Sequence, residues 1–250
     1  MIGAGLALIS TAALAPVAAP PCRQALQGSG VVVDVIDART LRLDDGRDVH
    51  LVGIELSEAA DAALAVASLR QLAIGRAVTL HGASDTPDRY GRQPALVFLD
   101  QAASALQVSL VAEGVAVHDG GLRDAECADA LAVAEAGARV ASAGIWNGAV
   151  IKSAKSSGDI LTQIGRFAIV EGKVLSVRQA GATTYLNFGR RWTQDFAVTI
   201  SRRALPSIEA AGVSVKSLEG KSIRVRGWVG ARGGPRIEVT SAAQIEMGAN

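Results

Sequence analysis

The residue types that could do chemistry lie in three short segments in the first half of this 250-residue chain. The most distinctive is Asp-Arg-Tyr-Gly-Arg at 88–92, and the other two, at 35–43 and 50–55, supply further arginine, histidine and carboxylate side chains. Such side chains can stabilise negative charge that develops on a substrate, and they can surround a metal ion. Other chemistry is scarce, because the three histidines lack metal-ligand spacing and there is no glycine-rich phosphate loop or nucleophile elbow.

Strand and helix patterns must position these segments. β-Branched residues, turn signals and apolar periodicity predict strands over 30–55, 77–81 and 94–99, and helices over 58–74, 105–113 and 125–143. Ser57 is the predicted N-cap of the first helix. Strands followed by helices that are interleaved with more strands indicate an α+β domain.

In this order and spacing the three segments resemble the staphylococcal nuclease (thermonuclease) family. With a closing Gly-Ile-Trp at 144–146, the resemblance covers about 30–146. It implies an N-terminal domain over 28–147 that is a five-stranded OB-type barrel with three helices. It also implies hydrolysis of DNA or RNA, with a calcium ion, two arginines and a glutamate around the scissile phosphate.

Part of this catalytic set is carried over onto matching positions. The resemblance makes Arg92 the second transition-state arginine and Tyr90 a contact to phosphate or sugar. Glu58 falls at the position of the general base, although a glutamate that follows a serine N-cap is also ordinary at the start of a helix.

The rest of the set departs from the family pattern. His50 occupies the position of the first arginine, where it offers no bidentate fork and is mostly neutral. Glu55 and Arg39 occupy the positions of two aspartates that hold calcium, and Asp37 matches a supporting acidic position. We therefore expect no tight calcium binding.

A cation at position 39 can take the place of the metal ion. We expect Arg39 to pair with Glu55, with Asp37 or Glu58 as further partners, which would end calcium-dependent catalysis. The alternative is that Asp34 or Asp44 reaches the site and restores a ligand.

Charge divides the chain into two halves. Residues 1–150 carry 10 Lys and Arg against 17 Asp and Glu, whereas residues 151–250 carry 15 against 7. We predict a linker at 148–162 and a basic, mainly-β domain over 163–247, which resembles small bacterial OB-like barrels. The basic half could meet nucleic acid, an acidic protein surface or the acidic half of the same chain, and the uneven charge could also be solvating only.

Aromatic and basic residues of the second domain could bind single-stranded nucleic acid. Trp192 lies in a predicted loop beside Arg190 and Arg191, and these three are the candidate contacts. Tyr185 and Phe188 are an odd number of residues apart on a strand, so at least one of them is expected in the core.

The N-terminal segment 1–22 resembles a secretory signal peptide. Residues 1–19 are apolar and uncharged, and Pro16 interrupts the run before it could span a membrane. We expect a periplasmic or secreted protein with no membrane span in its mature chain. In that compartment Cys22 and Cys127 would form one disulfide, the alternative being two unpaired thiols.

Two functions remain open from the sequence. The first is a thermonuclease-family phosphodiesterase with weak, altered or absent activity, in the last case a pseudoenzyme. The second is a non-catalytic module in the cell envelope that binds nucleic acid or protein. Metal dependence of cleavage separates the two.

Overall fold

The computed structural model describes residue 22 and residues 24–57, 60–100 and 102–248. The predicted signal segment, apart from Cys22, and the candidate base Glu58 lie outside these residues. Within them the chain is mixed α and β, and no described helix is long and apolar enough to cross a membrane.

The first domain is a closed barrel in the order β1-β2-β3-β6-β5. Its strands are β1 (Leu26–Asp37), β2 (Thr40–Leu43), β3 (Asp48–Leu51), β5 (Ala77–His81) and β6 (Gln93–Leu99). Neighbouring strands are antiparallel except β3 and β6, which run parallel. Alternate residues of these strands point inward and form one apolar core that includes Val32, Leu41, Leu51 and Val97.

Three helices and a small sheet cover this barrel. The helices are α1 (Ala62–Ala73), α2 (Leu106–Ala112) and α3 (Ala125–Val140), and the sheet pairs β4 (Ile54–Glu55) with β7 (Val117–His118). Helix α1 begins four residues later than predicted, because Asp61 rather than Ser57 is its N-cap. The Asp61 side chain accepts hydrogen bonds from the backbone N–H groups of Ala63 and Leu64.

The second half of the chain forms an eight-stranded sheet in the order β10-β11-β12-β14-β13-β9-β8, with β15 paired to β13. Its elements are β8 (Ile151–Ser153), α4 (Ser157–Leu161), β9 (Phe167–Lys173), β10 (Ser176–Ala180), β11 (Thr183–Asn187), β12 (Ala197–Ser201), α5 (Leu205–Ala210), β13 (Ser222–Arg232), β14 (Gly234–Val239) and β15 (Ile245–Met247). Strands β12 and β14 run parallel, and β13 pairs antiparallel with both β14 and β9. Only two residues separate β9 from β10. When these two are counted as one interrupted strand, the strands neighbour one another in the same order as in the first domain.

The segment 148–162, which the sequence predicts to be a linker, contains regular secondary structure. Strand β8 pairs in parallel with β9, and α4 contributes the buried side chain of Ile160 to the apolar core of the second sheet. The two domains therefore meet through ordered chain.

Buried contacts join the two halves. Val117 packs against Val150, Phe167 and Ile169 in an apolar cluster. Beside it, the guanidinium of Arg226 on β13 donates to both carboxylate oxygens of Glu135 on α3, at 2.8 and 2.9 Å. The acidic and basic halves thus dock on each other, as one of the charge-based interpretations suggests.

A disulfide joins Cys22 to Cys127, with their Cα atoms 4.4 Å apart. The bridge fixes the first described residue to helix α3 and closes a separation of 105 residues. Both half-cystines are buried against Leu96 and Phe98 of β6. A loop of this length gives a large entropic stabilisation in the chain-entropy account, about 4–5 kcal/mol.

Candidate functional site

Arg39 and Glu55 form an ion pair between the β1–β2 turn and strand β4. Arg39 occupies the two-residue turn between β1 and β2, and its Nη1 also donates to the backbone oxygen of Ile54 at 3.1 Å. The side chains of Arg39 and Glu55 are only 24 and 12 % exposed. Burial raises the pKa of Glu55, and the attraction of Arg39 opposes this shift. Glu55 therefore depends on Arg39 for its compensating charge.

Asp37 is engaged by its own turn. Its carboxylate accepts the backbone N–H of Arg39 at 2.8 Å and the hydroxyl of Thr40 at 3.0 Å. These are the bonds with which an aspartate commonly stabilises a tight turn. Asp37 therefore closes the β1–β2 hairpin, and its side chain does not pair with that of Arg39 in the structure.

His50 lies on β3, between Thr40 of β2 and Pro94 of β6. Burial and, to a lesser extent, the positive charges of Arg39 and Arg92 lower the pKa of His50 to about 4. The imidazole is therefore neutral at pH 7 and cannot replace the charge of an arginine. Its Nδ1 is buried and has no hydrogen-bond partner among the described residues.

Arg92 is held in place by Asp88, four residues earlier. Its Nε and Nη2 donate to the same carboxylate oxygen at 2.9 and 2.8 Å, and its backbone N–H donates to the other oxygen at 3.0 Å. Desolvation opposes the ionisation of Asp88, but these bonds and one from the backbone of Tyr90 lower its pKa to about 2. The Asp-Arg-Tyr-Gly-Arg segment is thus a self-contained turn that positions its last arginine.

Four of the residues singled out in the sequence line one cleft of about 560 Å³, which we call the hairpin cleft. Its lining comprises Ile36, Asp37, Ala38, Arg39, His50, Leu56, Ala62, Ala63, Val66 and Arg92. Tyr90 is exposed beside it, and the Arg92 guanidinium lies 5.1 Å from its ring. The structure therefore brings Asp37, Arg39, His50 and Arg92 together around a space that is open to solvent.

The described residues of this cleft do not fit a calcium ion. Calcium takes six to eight oxygen ligands, several of them charged. Glu55 is paired with Arg39, Asp37 serves its turn, and no described group of three or more His, Cys, Asp or Glu residues could hold a metal. Asp34 and Asp44, the alternative ligands, bond to Arg70 and to the backbone of Val31.

The candidate contacts of the second domain separate in the structure. Trp192 is 77 % exposed and lines a cleft of about 450 Å³, whereas Arg190 and Arg191 are exposed but are not part of its described lining. Phe188 and Phe196 are buried, and Tyr185 faces the cleft. As the odd spacing of Tyr185 and Phe188 predicts, one of them, Phe188, lies in the core.

Two arginines of this second cleft are absent from the sequence-based set. Arg232 and Arg236 come from the β13–β14 hairpin, about 40 residues after Trp192, and complete the lining with Arg178. Alternation along β14 could have marked Arg236 as outward-facing. Only the parallel pairing of β12 with β14 places it beside the other residues.

A comparison with protein families finds a match within the first domain. Residues 49–148 match the family model described as staphylococcal nuclease homologue. The match includes His50, Glu55 and Arg92, and begins at β3, so it leaves out the β1–β2 hairpin that carries Asp37 and Arg39. No curated protein matches the chain.

Proposed function

We propose that this chain, whose residues 49–148 belong to the staphylococcal nuclease family, has lost calcium-dependent cleavage of phosphodiesters and acts by non-hydrolytic binding. The ion pair between Arg39 and Glu55 carries the proposal. A guanidinium stands where the family resemblance requires an anionic metal ligand, and it neutralises Glu55, the carboxylate at the other expected ligand position. A divalent cation would have to displace this group or bind beside it.

The second departure from the expected site is the absence of a charged hydrogen-bond donor at position 50. A neutral histidine cannot give the charged, forked hydrogen bonds that an arginine gives to phosphate oxygens. Removal of one preorganised donor typically lowers the rate about 10²- to 10³-fold. Together with the lost metal charge, this deficit leaves Arg92, which is itself paired with Asp88, as the one described cation of the cleft lining that is not paired with Glu55.

The direct test is cleavage of single-stranded DNA, duplex DNA and RNA by the purified mature protein in calcium, magnesium or chelator. We expect no calcium-dependent product. Arg92→Ala serves as the control for contaminating nuclease, because any activity of this cleft needs that arginine. Calcium-dependent cleavage that disappears in Arg92→Ala would show that the site works and that the proposal is wrong.

A reversal experiment tests the cause. Arg39→Asp combined with His50→Arg should restore calcium binding, measured by titration calorimetry, and some calcium-stimulated cleavage. His50→Arg alone should restore neither, and Arg123→Asp makes the same charge change at an exposed position away from the cleft. A folded double variant that binds no more calcium than Arg123→Asp contradicts the assigned role of Arg39.

We also propose that the protein works outside the cytoplasm, in the periplasm or as a secreted protein. The Cys22–Cys127 disulfide supports this location, because such bonds persist in oxidising compartments. Cell fractionation, with thiol labelling of the recovered protein, tests the proposal. Reduced protein in the cytoplasmic fraction would contradict it.

A further inference from the structure

We propose that the cleft on the second sheet binds single-stranded nucleic acid. We call it the arginine cleft, and its polar and aromatic lining consists of Arg178, Tyr185, Asn187, Trp192, Arg232 and Arg236. It belongs to a different domain from the hairpin cleft, so the proposal stands whether or not the first domain cleaves nucleic acid.

Strand register builds the floor of the cleft from two adjacent rows. Arg178, Tyr185 and Thr199 are paired across β10, β11 and β12 to form the first row. Asn187, Ala197 and Arg236 are paired across β11, β12 and β14 to form the second row. Residues two apart on a strand share a face, so both rows lie on the same side of the sheet. A guanidinium thus stands at an end of each row, with an aromatic ring and smaller side chains between them.

The arginines of this cleft are available to a ligand. Arg178, Arg232 and Arg236 form no side-chain hydrogen bond or ion pair with any residue that the structure describes. Elsewhere in the same sheet, Arg224 is paired with Glu171 at 2.6 Å and Arg226 with Glu135. The one acidic residue in the described lining is Asp195, which accepts the backbone N–H of Arg191 at 2.7 Å. The described lining therefore carries three arginines against one aspartate, which is an excess of positive charge.

Trp192 supplies a stacking surface at the rim. Its side chain is 77 % exposed, although its loop is ordered by bonds from the backbone N–H groups of Gln194 and Asp195 to the carbonyl of Arg191, both 2.8 Å. An exposed indole on a fixed loop can stack on a base with little loss of its own conformational freedom. Tyr185 offers a second ring inside the cleft.

This combination favours single strands over other polyanions. Duplex DNA presents phosphates outward and keeps its bases stacked inside, so an exposed tryptophan gains little from it. An acidic protein surface satisfies the arginines but does not require an aromatic ring between them. Bases and phosphates together match the aromatic and cationic groups of the cleft.

The test is fluorescence anisotropy with labelled oligothymidylate, oligouridylate and a duplex of the same length, all in chelator so that cleavage cannot intervene. We expect both single strands to bind more tightly than the duplex. Trp192→Ala should weaken single-strand binding about 10- to 100-fold and leave duplex binding nearly unchanged. Arg178→Ala with Arg232→Ala should reduce the slope of log affinity against log salt by about 0.7 for each arginine removed.

Arg202→Ala with Arg203→Ala is the matched control, because it removes the same charge from exposed positions outside the cleft. Circular dichroism confirms that each variant folds. Equal weakening by this control, tighter binding to duplex, or no binding to any oligonucleotide at low salt would overturn the proposal. None of these results depends on the calcium experiments, so the two proposals fail separately.

Discussion

Burial of individual side chains shifts the pKa values of ionisable groups in the hairpin cleft and at the domain junction. The pKa of His50 in the hairpin cleft and that of His118 at the domain junction are both lowered to about 4, chiefly by burial and then by nearby arginines. Burial opposes the ionisation of Glu135 beside His118, but Arg226 holds its pKa below the usual range. The histidines are therefore neutral and the glutamate is charged at pH 7.

The first prediction concerns pH. Unfolded histidine takes up a proton near pH 6.5, whereas folded His118 does so only near pH 4. The free energy of unfolding should therefore fall as pH decreases from about 6.5 to 4. The full contribution of the neutral, buried His118 to stability should be present above pH 6.5. Urea unfolding at several pH values should show that the free energy of unfolding depends less steeply on pH in His118→Gln than in the wild type. Parallel curves would contradict this assignment.

The start of helix α1 shows how an element can differ from its local signal. Ser57 has the residue type of an N-cap, but its hydroxyl is buried without a partner among the described residues. Asp61 performs the capping, and the chain before it forms the short strand β4, which pairs with β7. The pairing of Glu55 with Val117 therefore keeps the chain extended just before the position at which the sequence predicts a helix to begin.

The second prediction separates these two caps. Asp61→Ala should lower the free energy of unfolding by about 1 kcal/mol, because two backbone donors lose their acceptor. Ser57→Ala should have little effect or stabilise slightly, since it removes a buried hydroxyl that has no bond. Urea denaturation measures both, and Asp61→Ser should retain most of the stability. A larger loss from Ser57→Ala than from Asp61→Ala would contradict the structure.

For the whole molecule, the main feature is a charged contact buried between domains. Arg226 and Glu135 have side-chain exposures of 1 and 0 %, and Arg226 also donates to the backbone oxygen of His118 at 2.9 Å. Arg139 adds a second pair with Glu246 at 2.9 Å. Charges at such depth must be matched across the junction, so they specify how the two halves dock.

The third prediction tests this docking. Arg226→Ala should lower the free energy of unfolding by about 3–5 kcal/mol, because it leaves Glu135 buried without its main partner. Adding Glu135→Leu to Arg226→Met should recover much of the loss, since no unpaired charge then remains. Arg42→Ala, which breaks an exposed pair with Asp48, should change stability by at most about 1 kcal/mol. Equal losses from Arg226→Ala and Arg42→Ala would contradict the burial.

The sequence by itself determined those features that depend on near neighbours or on residue type. Strand and helix periodicity, the nuclease resemblance, the cation at Arg39 and the pairing of the two cysteines could all be inferred in this way. Tertiary structure alone decided that 148–162 is ordered, that Arg226 meets Glu135, and that Arg236 joins Trp192 in one cleft. The physical reason is that these contacts join residues far apart in the chain, so they depend on how strands pair and domains dock rather than on any local pattern.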